Sequence, residues 1–137
     1  MKTFNAFEVS IPHEDYKKLH MEGKCRLLMP INEADEISRM KGKLPKGSTT
    51  GYAFTFWNFV GFGCLGYSLY LSFTWNWWAF IVGFVAASFI FNVNKRSNAE
   101  NVLRDALNNK EFYEEIIILN HAVYHLDESV VEKYKIT

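Results

Sequence analysis

A run of 48 consecutive residues, from Gly47 to Asn94, contains no Asp, Glu, Lys, Arg or His. All 30 Asp, Glu, Lys and Arg residues of the 137-residue chain lie outside this run, whereas 16 of its 23 aromatic residues lie inside it. A hydrocarbon core of ~30 Å takes ~20 helical residues to cross, so an uncharged run of this kind indicates a membrane insert. Because the run is more than twice the length that one span needs, the count predicts two spans.

The uncharged run divides at a polar, tryptophan-rich stretch in its middle. The predicted first transmembrane helix covers residues 50–71, the second covers 75–93, and an external turn at 72–74 joins them. The stretch that follows this turn carries three predicted interface anchors: Trp75, Trp77 and Trp78. Indole rings favour the headgroup level because the ring is apolar while its N–H needs a polar partner. A buried hairpin in a soluble protein is the alternative, but its first helix would carry a charged face at a 3.6-residue period, and none exists.

Basic residues flank the two predicted spans, and the turn between them has no charge. The predicted anchors on these flanks are Lys43, Lys46, Lys95 and Arg96. Because positive residues stay on the cytoplasmic side, we expect a multi-pass protein with both termini in the cytoplasm. The many Lys, Asn, Ile and Phe residues, and the lack of any Asn-x-Ser/Thr site, favour the cell membrane of a bacterium, that is, its inner membrane.

Small and polar residues predict where the two helices meet. The predicted helix-packing residues are Asn58 and Gly61 in the first span and Ala79, Gly83, Ala87 and Ser88 in the second. Helices associate in lipid through close backbone approach and through polar side chains that find partners. An amide in hydrocarbon needs a hydrogen-bond partner, and for Asn58 either Ser88 or Asn92 is chemically suitable. The same residues could instead form the seam of a homo-oligomer.

Residues 1–46 read as a small mixed α/β cytoplasmic segment. The pattern predicts a strand over 7–11, a helix over 12–22, a short apolar strand over 25–29, and a helix from Asn32, as N-cap, to Lys41. Together with the two spans, this predicts an integral membrane protein that is mainly α, with a two-helix transmembrane hairpin.

Residues 97–137 are expected to form a helical C-terminal cytoplasmic segment. Ser97 and Glu100 have the spacing of a capping box, which predicts that a new helix starts there. Apolar residues then recur at a heptad-like spacing: Phe112, Ile116, Leu119, Val123 and Leu126. Since isoleucine is β-branched, residues 116–126 could contain a strand instead.

No residue pattern supports catalysis, a cofactor or a metal site. His121 and His125 are four residues apart and would share one face of a helix, but two histidines without further ligands are a weak zinc signal. Cys25 and Cys64 form no Cys-x-x-Cys pair and read as structural thiols. The chain is therefore expected not to be an enzyme.

Charge limits the remaining functions. The formal net charge is zero, which argues against a nucleic-acid partner. An ion-coupled transporter would normally carry an ionisable residue within its spans. The predicted function is a non-catalytic membrane subunit or regulator of the inhibitor, immunity, exclusion or assembly-factor type. Its expected partners are the lipid bilayer and another membrane or cytoplasmic protein, or a second copy of itself. The alternative is a homo-oligomeric effector that permeabilises the bilayer.

Overall fold

A computed structural model describes residues 1–40 and 42–136, and within them the chain forms six helices and three strands. In chain order these are β1 (Lys2–Phe4), α1 (His13–Met21), β2 (Cys25–Leu28), α2 (Ile31–Arg39), α3 (Thr50–Thr74), α4 (Ala79–Asn108), α5 (Lys110–Ile118), β3 (Val123–Leu126) and α6 (Glu128–Tyr134).

The three strands form one antiparallel sheet in the order β1-β3-β2. Leu126 of β3 lies opposite Lys2 of β1 on one side and Cys25 of β2 on the other. The C-terminal strand is therefore the middle strand, and the two terminal segments fold together as one unit. We call this unit the head; it comprises the sheet, α1, α2, α5, α6 and the second half of α4.

The core of the head is built around three buried tyrosines. Tyr113 donates its hydroxyl to the carbonyl of Ile11 at 2.8 Å, and its oxygen lies 2.8 Å from the hydroxyl of Tyr124. Tyr16 stacks on Tyr113 with ring centroids 5.1 Å apart. The three phenol rings fill apolar volume in the core. Tyr113 and Tyr124 also hydrogen-bond to each other, so neither of their hydroxyls is buried without a partner.

Helix α4 is continuous from the uncharged run into the head. Its 30 residues correspond to a length of ~45 Å. The predicted new start at Ser97 is wrong, because the helix continues through this position. Its buried face continues too, with Ala99, Val102 and Ala106 in the core of the head. At the end of the helix, Nε2 of His13 contacts the carbonyl oxygens of Ala106 and Leu107, both at 3.1 Å.

The C-terminal heptad-like pattern is divided between a helix and a strand. Helix α5 ends at Ile118, and Asn120 adopts a positive φ of 56°, a left-handed conformation that asparagine tolerates well and that often ends helices. Beyond it, Ala122, Tyr124 and Leu126 are buried in alternation with partly exposed residues. Within 116–126, residues 116–118 are thus helical and 123–126 form a strand.

The N-terminal strand lies earlier than predicted. Residues 2–4 form β1, whereas Asn5 to Glu8 form a turn in which the amide of Asn5 donates to the Glu8 carboxylate at 2.9 Å. Val9 makes an isolated bridge to Lys135, and its side chain enters the core. The helix predicted from Asn32 starts at Ile31 instead, so Asn32 lies inside α2; the last predicted residue, Lys41, lies outside the described residues.

The predicted two-helix transmembrane hairpin is wrong as a fold class. Helices α3 and α4 lie side by side, but in the described part of the chain one helix, α4, is long and apolar enough to cross a membrane. Helix α3 has the length, but its glycines, tyrosines, hydroxyl residues and Asn58 lower its mean hydropathy. The protein is mostly helical with a small sheet, and its flanks form one mixed head rather than an α/β segment and a separate helical segment.

The tyrosine pair predicts a specific loss of stability. Tyr113→Phe leaves the Ile11 carbonyl and the Tyr124 hydroxyl short of one partner in a buried site, which we expect to cost about 1–3 kcal/mol. Tyr70→Phe is the matched control, because that side chain is 62% exposed. Thermal unfolding of both variants in one detergent measures the difference, and equal melting temperatures would contradict this role for the pair.

Burial also predicts that the thiol of Cys25 is inert. Removal from water raises its pKa from 9.0 to about 12. Around pH 8 only about one thiol in 10,000 is then ionised, against about one in ten for an exposed cysteine. The pKa is raised in the folded state, so stability is full below the unfolded-state pKa near 9 and declines as pH rises above it.

Thiol labelling in a Cys64→Ala background tests this expectation. Cys25 should react only when the head unfolds, whereas an added Leu28→Cys thiol, on an exposed position of the same strand, should react within minutes. Comparable rates for the two thiols at pH 8 would contradict the buried position of Cys25.

Candidate functional site: an exposed apolar surface and its polar collar

Helices α3 and α4 carry an extensive exposed surface of large hydrophobic side chains, which we call the apolar surface. It consists of Tyr52, Phe56, Trp57, Phe59, Phe62, Tyr67, Leu69, Tyr70, Phe73, Trp75, Trp77, Trp78, Phe80, Ile81, Val82, Phe84, Val85, Phe89 and Val93. Soluble monomers rarely expose contiguous apolar patches above a few hundred Å². The core helix of a soluble protein would be largely buried, whereas only 22% of the most apolar window of α4 is buried.

The side of α3 and α4 opposite this surface is where the two helices meet. A Cβ atom on Gly83 would overlap the Ser68 side chain, and one on Gly61 would overlap the ring of Phe91. Ala87 is also buried at this contact, and Ala79 is nearly so. The structure therefore places Gly61 and Gly83 in the α3–α4 contact, where absent side chains allow close approach.

Two amides meet at one backbone carbonyl. Asn58 donates to the carbonyl of Phe54 at 3.0 Å, and Asn94 of α4 donates to the same oxygen at 2.9 Å. The partner suggested for Asn58 was Ser88 or Asn92; the structure instead gives it a carbonyl of its own helix, and Ser88 lies half-buried on α4. Asn94 links the helices, and sequence reasoning did not single it out.

A set of polar contacts, which we call the polar collar, joins the start of α3 to α4 and α2. Asp105 accepts hydrogen bonds from the hydroxyls of Ser48 at 2.5 Å and Thr50 at 2.7 Å. A carboxylate that accepts two hydroxyl protons makes charge-assisted bonds, which are stronger than neutral ones. These bonds fix the first turn of α3 against the head.

Asn98 completes the polar collar from within α4. Its carbonyl oxygen accepts the hydroxyl proton of Ser38 at 2.7 Å, and its amide donates to the Ala34 carbonyl at 3.1 Å and to Asp35 at 3.2 Å. Asn98 is only 2% exposed, so these bonds satisfy a polar group that would otherwise be costly to bury. Through them, α2 is held on α4.

The predicted interface anchors lie at the two ends of the helical pair. Trp75, Trp77 and Trp78 are exposed at the far turn, away from the head. Lys46, Lys95 and Arg96 are exposed near the polar collar. Lys43 instead binds Glu115 of α5 at 2.9 Å, within the head.

The two histidines considered for a metal site do not share a helix face. His121 follows α5 and its Nδ1 contacts the carboxylate of Glu33, whereas His125 lies in β3 opposite Thr3 and Arg26. Among the described residues there is no group of three or more His, Cys, Asp or Glu side chains placed to hold a metal ion.

No protein-family model, curated protein or solved structure matches this chain.

The α3–α4 contact predicts opposite effects for two glycines. Gly83→Ala places a methyl group into Ser68, and such overpacking typically costs ~1–3 kcal/mol. Gly66→Ala is the matched control on α3, since its added methyl group meets nothing within 4 Å, and alanine favours a helix by about 1 kcal/mol. Thermal unfolding in detergent should show a lower midpoint for the first variant alone. If both variants unfold at the same temperature, Gly83 does not lie at a tight contact.

Proposed function

We propose that this is a non-catalytic membrane protein in which the apolar surface lies in lipid and the head acts as a partner-binding subunit or regulator. The observation that carries the proposal is the apolar surface itself. It presents 19 large hydrophobic side chains without a charge between them, on a pair of helices whose α4 meets the criteria for a membrane-spanning helix. Exposed apolar area of this kind is stable in lipid and costly in water.

Two features support a cytoplasmic head. The pairing of β1 with β3 holds both terminal segments in one sheet, so they belong on the same side of a membrane. Lys46, Lys95 and Arg96 lie where the apolar surface meets the head, while the turn at the far end of the helices is uncharged. Lys and Arg at this position favour the cytoplasmic side.

The use of polar groups supports a non-catalytic role. Several buried polar side chains of the described head make structural contacts: Asn98 binds α2, Tyr113 and Tyr124 bind each other, and Nε2 of His13 binds the end of α4. A catalytic site would instead hold a perturbed acid or base in a cleft that admits substrate. A partner protein, held near the membrane surface by the anchored head, fits these observations better than a substrate.

The alternative, a homo-oligomeric effector that permeabilises the bilayer, is less well supported. Gly61 and Gly83 face the neighbouring helix of the same chain, so they do not offer a seam to a second copy. Gly63 and Gly66 face open space, but the residues around them, such as Phe62 and Tyr67, are aromatic and offer no polar wall for a pore.

A single lysine distinguishes a lipid-facing surface from a water-facing one. Val85→Lys puts a charge on an apolar side chain that is 63% exposed on α4. In lipid this is expected to cost ~2.5–3.5 kcal/mol near the bilayer centre, so the fraction of protein that stays in carbonate-washed membranes should fall severalfold. Ile118→Lys is the control, because that side chain is 76% exposed on the head and should tolerate a charge.

Wild-type protein released by the carbonate wash would overturn the proposal, and so would a Val85→Lys variant that is retained as well as Ile118→Lys.

A further inference from the structure

An open groove of about 720 Å³ lies between α2, the segment that follows it and the start of α3. Its lining includes Arg39, Lys46, Ser48, Tyr52 and Thr55. Among the described residues that line it, Arg39 and Lys46 are charged and none is a carboxylate. This distinguishes it from the cleft between α2 and α5, where Lys43 is paired with Glu115.

Arg39 and Lys46 have no carboxylate partner in the part of the chain that the structure describes. The nearby carboxylate of Asp105 accepts the hydroxyls of Ser48 and Thr50 and is not part of the lining. The groove therefore presents two positive charges to its contents.

The groove is partly preorganised for an oxyanion. The guanidinium carbon of Arg39 lies 5.7 Å from the centre of the buried Phe54 ring, which holds the side chain at the edge of the apolar surface. A planar guanidinium offers paired N–H donors that match phosphate oxygens. The exposed hydroxyls of Tyr52 and Thr55 add donors that no described residue uses, whereas the hydroxyl proton of Ser48 is committed to Asp105.

The position of the groove identifies the kind of phosphate. Tyr52, which lines the groove, is followed at helical spacing on α3 by Phe56 and Phe59. These three side chains are 82%, 61% and 72% exposed and form an aromatic ridge. A phospholipid whose headgroup lies in the groove would thus have its acyl chains along this aromatic ridge. A free anion would gain nothing from the ridge.

We propose that this groove binds the phosphate headgroup of an anionic phospholipid through Arg39 and Lys46, with the acyl chains along the exposed ridge of α3. This inference rests on the proposed membrane location. It predicts a defined lipid site in addition to the general attraction of cationic flanks to a negative membrane surface.

Lipid binding by the purified full-length protein in a neutral detergent tests the site. The probes are dioleoyl phosphatidylglycerol, dioleoyl phosphatidylcholine and sodium phosphate, with bound lipid counted by native mass spectrometry over a titration. Wild-type protein should bind one phosphatidylglycerol at least tenfold more tightly than phosphatidylcholine, and sodium phosphate should not displace it. The double variant Arg39→Gln, Lys46→Gln should bind phosphatidylglycerol roughly 30-fold more weakly, since each interfacial cation contributes ~1 kcal/mol.

The matched control is Lys95→Gln, Arg96→Gln, which removes the same charge from the other flank. It should keep its affinity for phosphatidylglycerol within twofold. Equal losses in the two double variants would show diffuse charge attraction and overturn the groove, as would tight binding of inorganic phosphate alone. Protection of the Cys25 thiol confirms that each variant is folded.

Membrane retention separates this inference from the proposed function. Both double variants should remain in carbonate-washed membranes, because the apolar surface provides the anchoring. Wild-type protein that leaves the membrane contradicts the proposed function, whereas protein that stays but shows no preference for phosphatidylglycerol contradicts only the lipid site.

Discussion

The unbroken backbone of α4 is the constraint on which the rest of the structure depends. One 30-residue helix carries part of the apolar surface in its first half and part of the core of the head in its second half. A helix without a hinge transmits orientation along its whole length, so the direction of the apolar surface fixes that of the head. Helix breaks usually require proline, glycine pairs or inserted groups, and the second half of α4 contains neither glycine nor proline.

One face of α4 contacts the neighbouring helices along its whole length, but its residues change from small to polar. Gly83, Ala87, Asn94, Asn98 and Asp105 follow at intervals of four and seven residues. The first two permit close approach of α3, Asn94 donates to an α3 carbonyl, Asn98 binds α2, and Asp105 binds the residues at the start of α3. Steric fit is thus replaced by hydrogen bonds near the point where α4 acquires its first charged residues, Lys95 and Arg96. That order suits a helix that runs from an apolar surface into a polar head, since hydrogen-bonded groups tolerate water and close apolar contacts are made without it.

Hydropathy and local spacing predict the parts of this fold that depend on the chain alone. The helix at 13–21 follows from the sequence, whereas the turn predicted at 72–74 is helical and the break between α3 and α4 falls at 75–78. The capping-box pattern at Ser97 was misleading, because tertiary packing of Ala99 and Val102 keeps the helix continuous. In one continuous helix, the spacing of Asn94, Asn98 and Asp105 puts all three on one face. This spacing is the sequence signal for the polar collar. The β-branched isoleucines indicate a possible strand within 116–126, but its position at 123–126 depends on pairing with β1 and β2, which lie far away in the sequence.

The sheet explains how such a small head can stay folded. Two-stranded pieces are marginal in water, and neither terminal segment alone supplies more than two strands. Inserting β3 between β1 and β2 requires both segments to be present, so the head forms only after α3 and α4 have brought the C-terminal segment back to the N-terminal one. Assembly of the polar collar then depends on that return, because Ser38 and Ser48 precede the helices while Asn98 and Asp105 follow them. Correct placement of the apolar helices and completion of the head are therefore coupled events, and a chain in which α4 is misplaced would expose Tyr16 and Tyr113 to water.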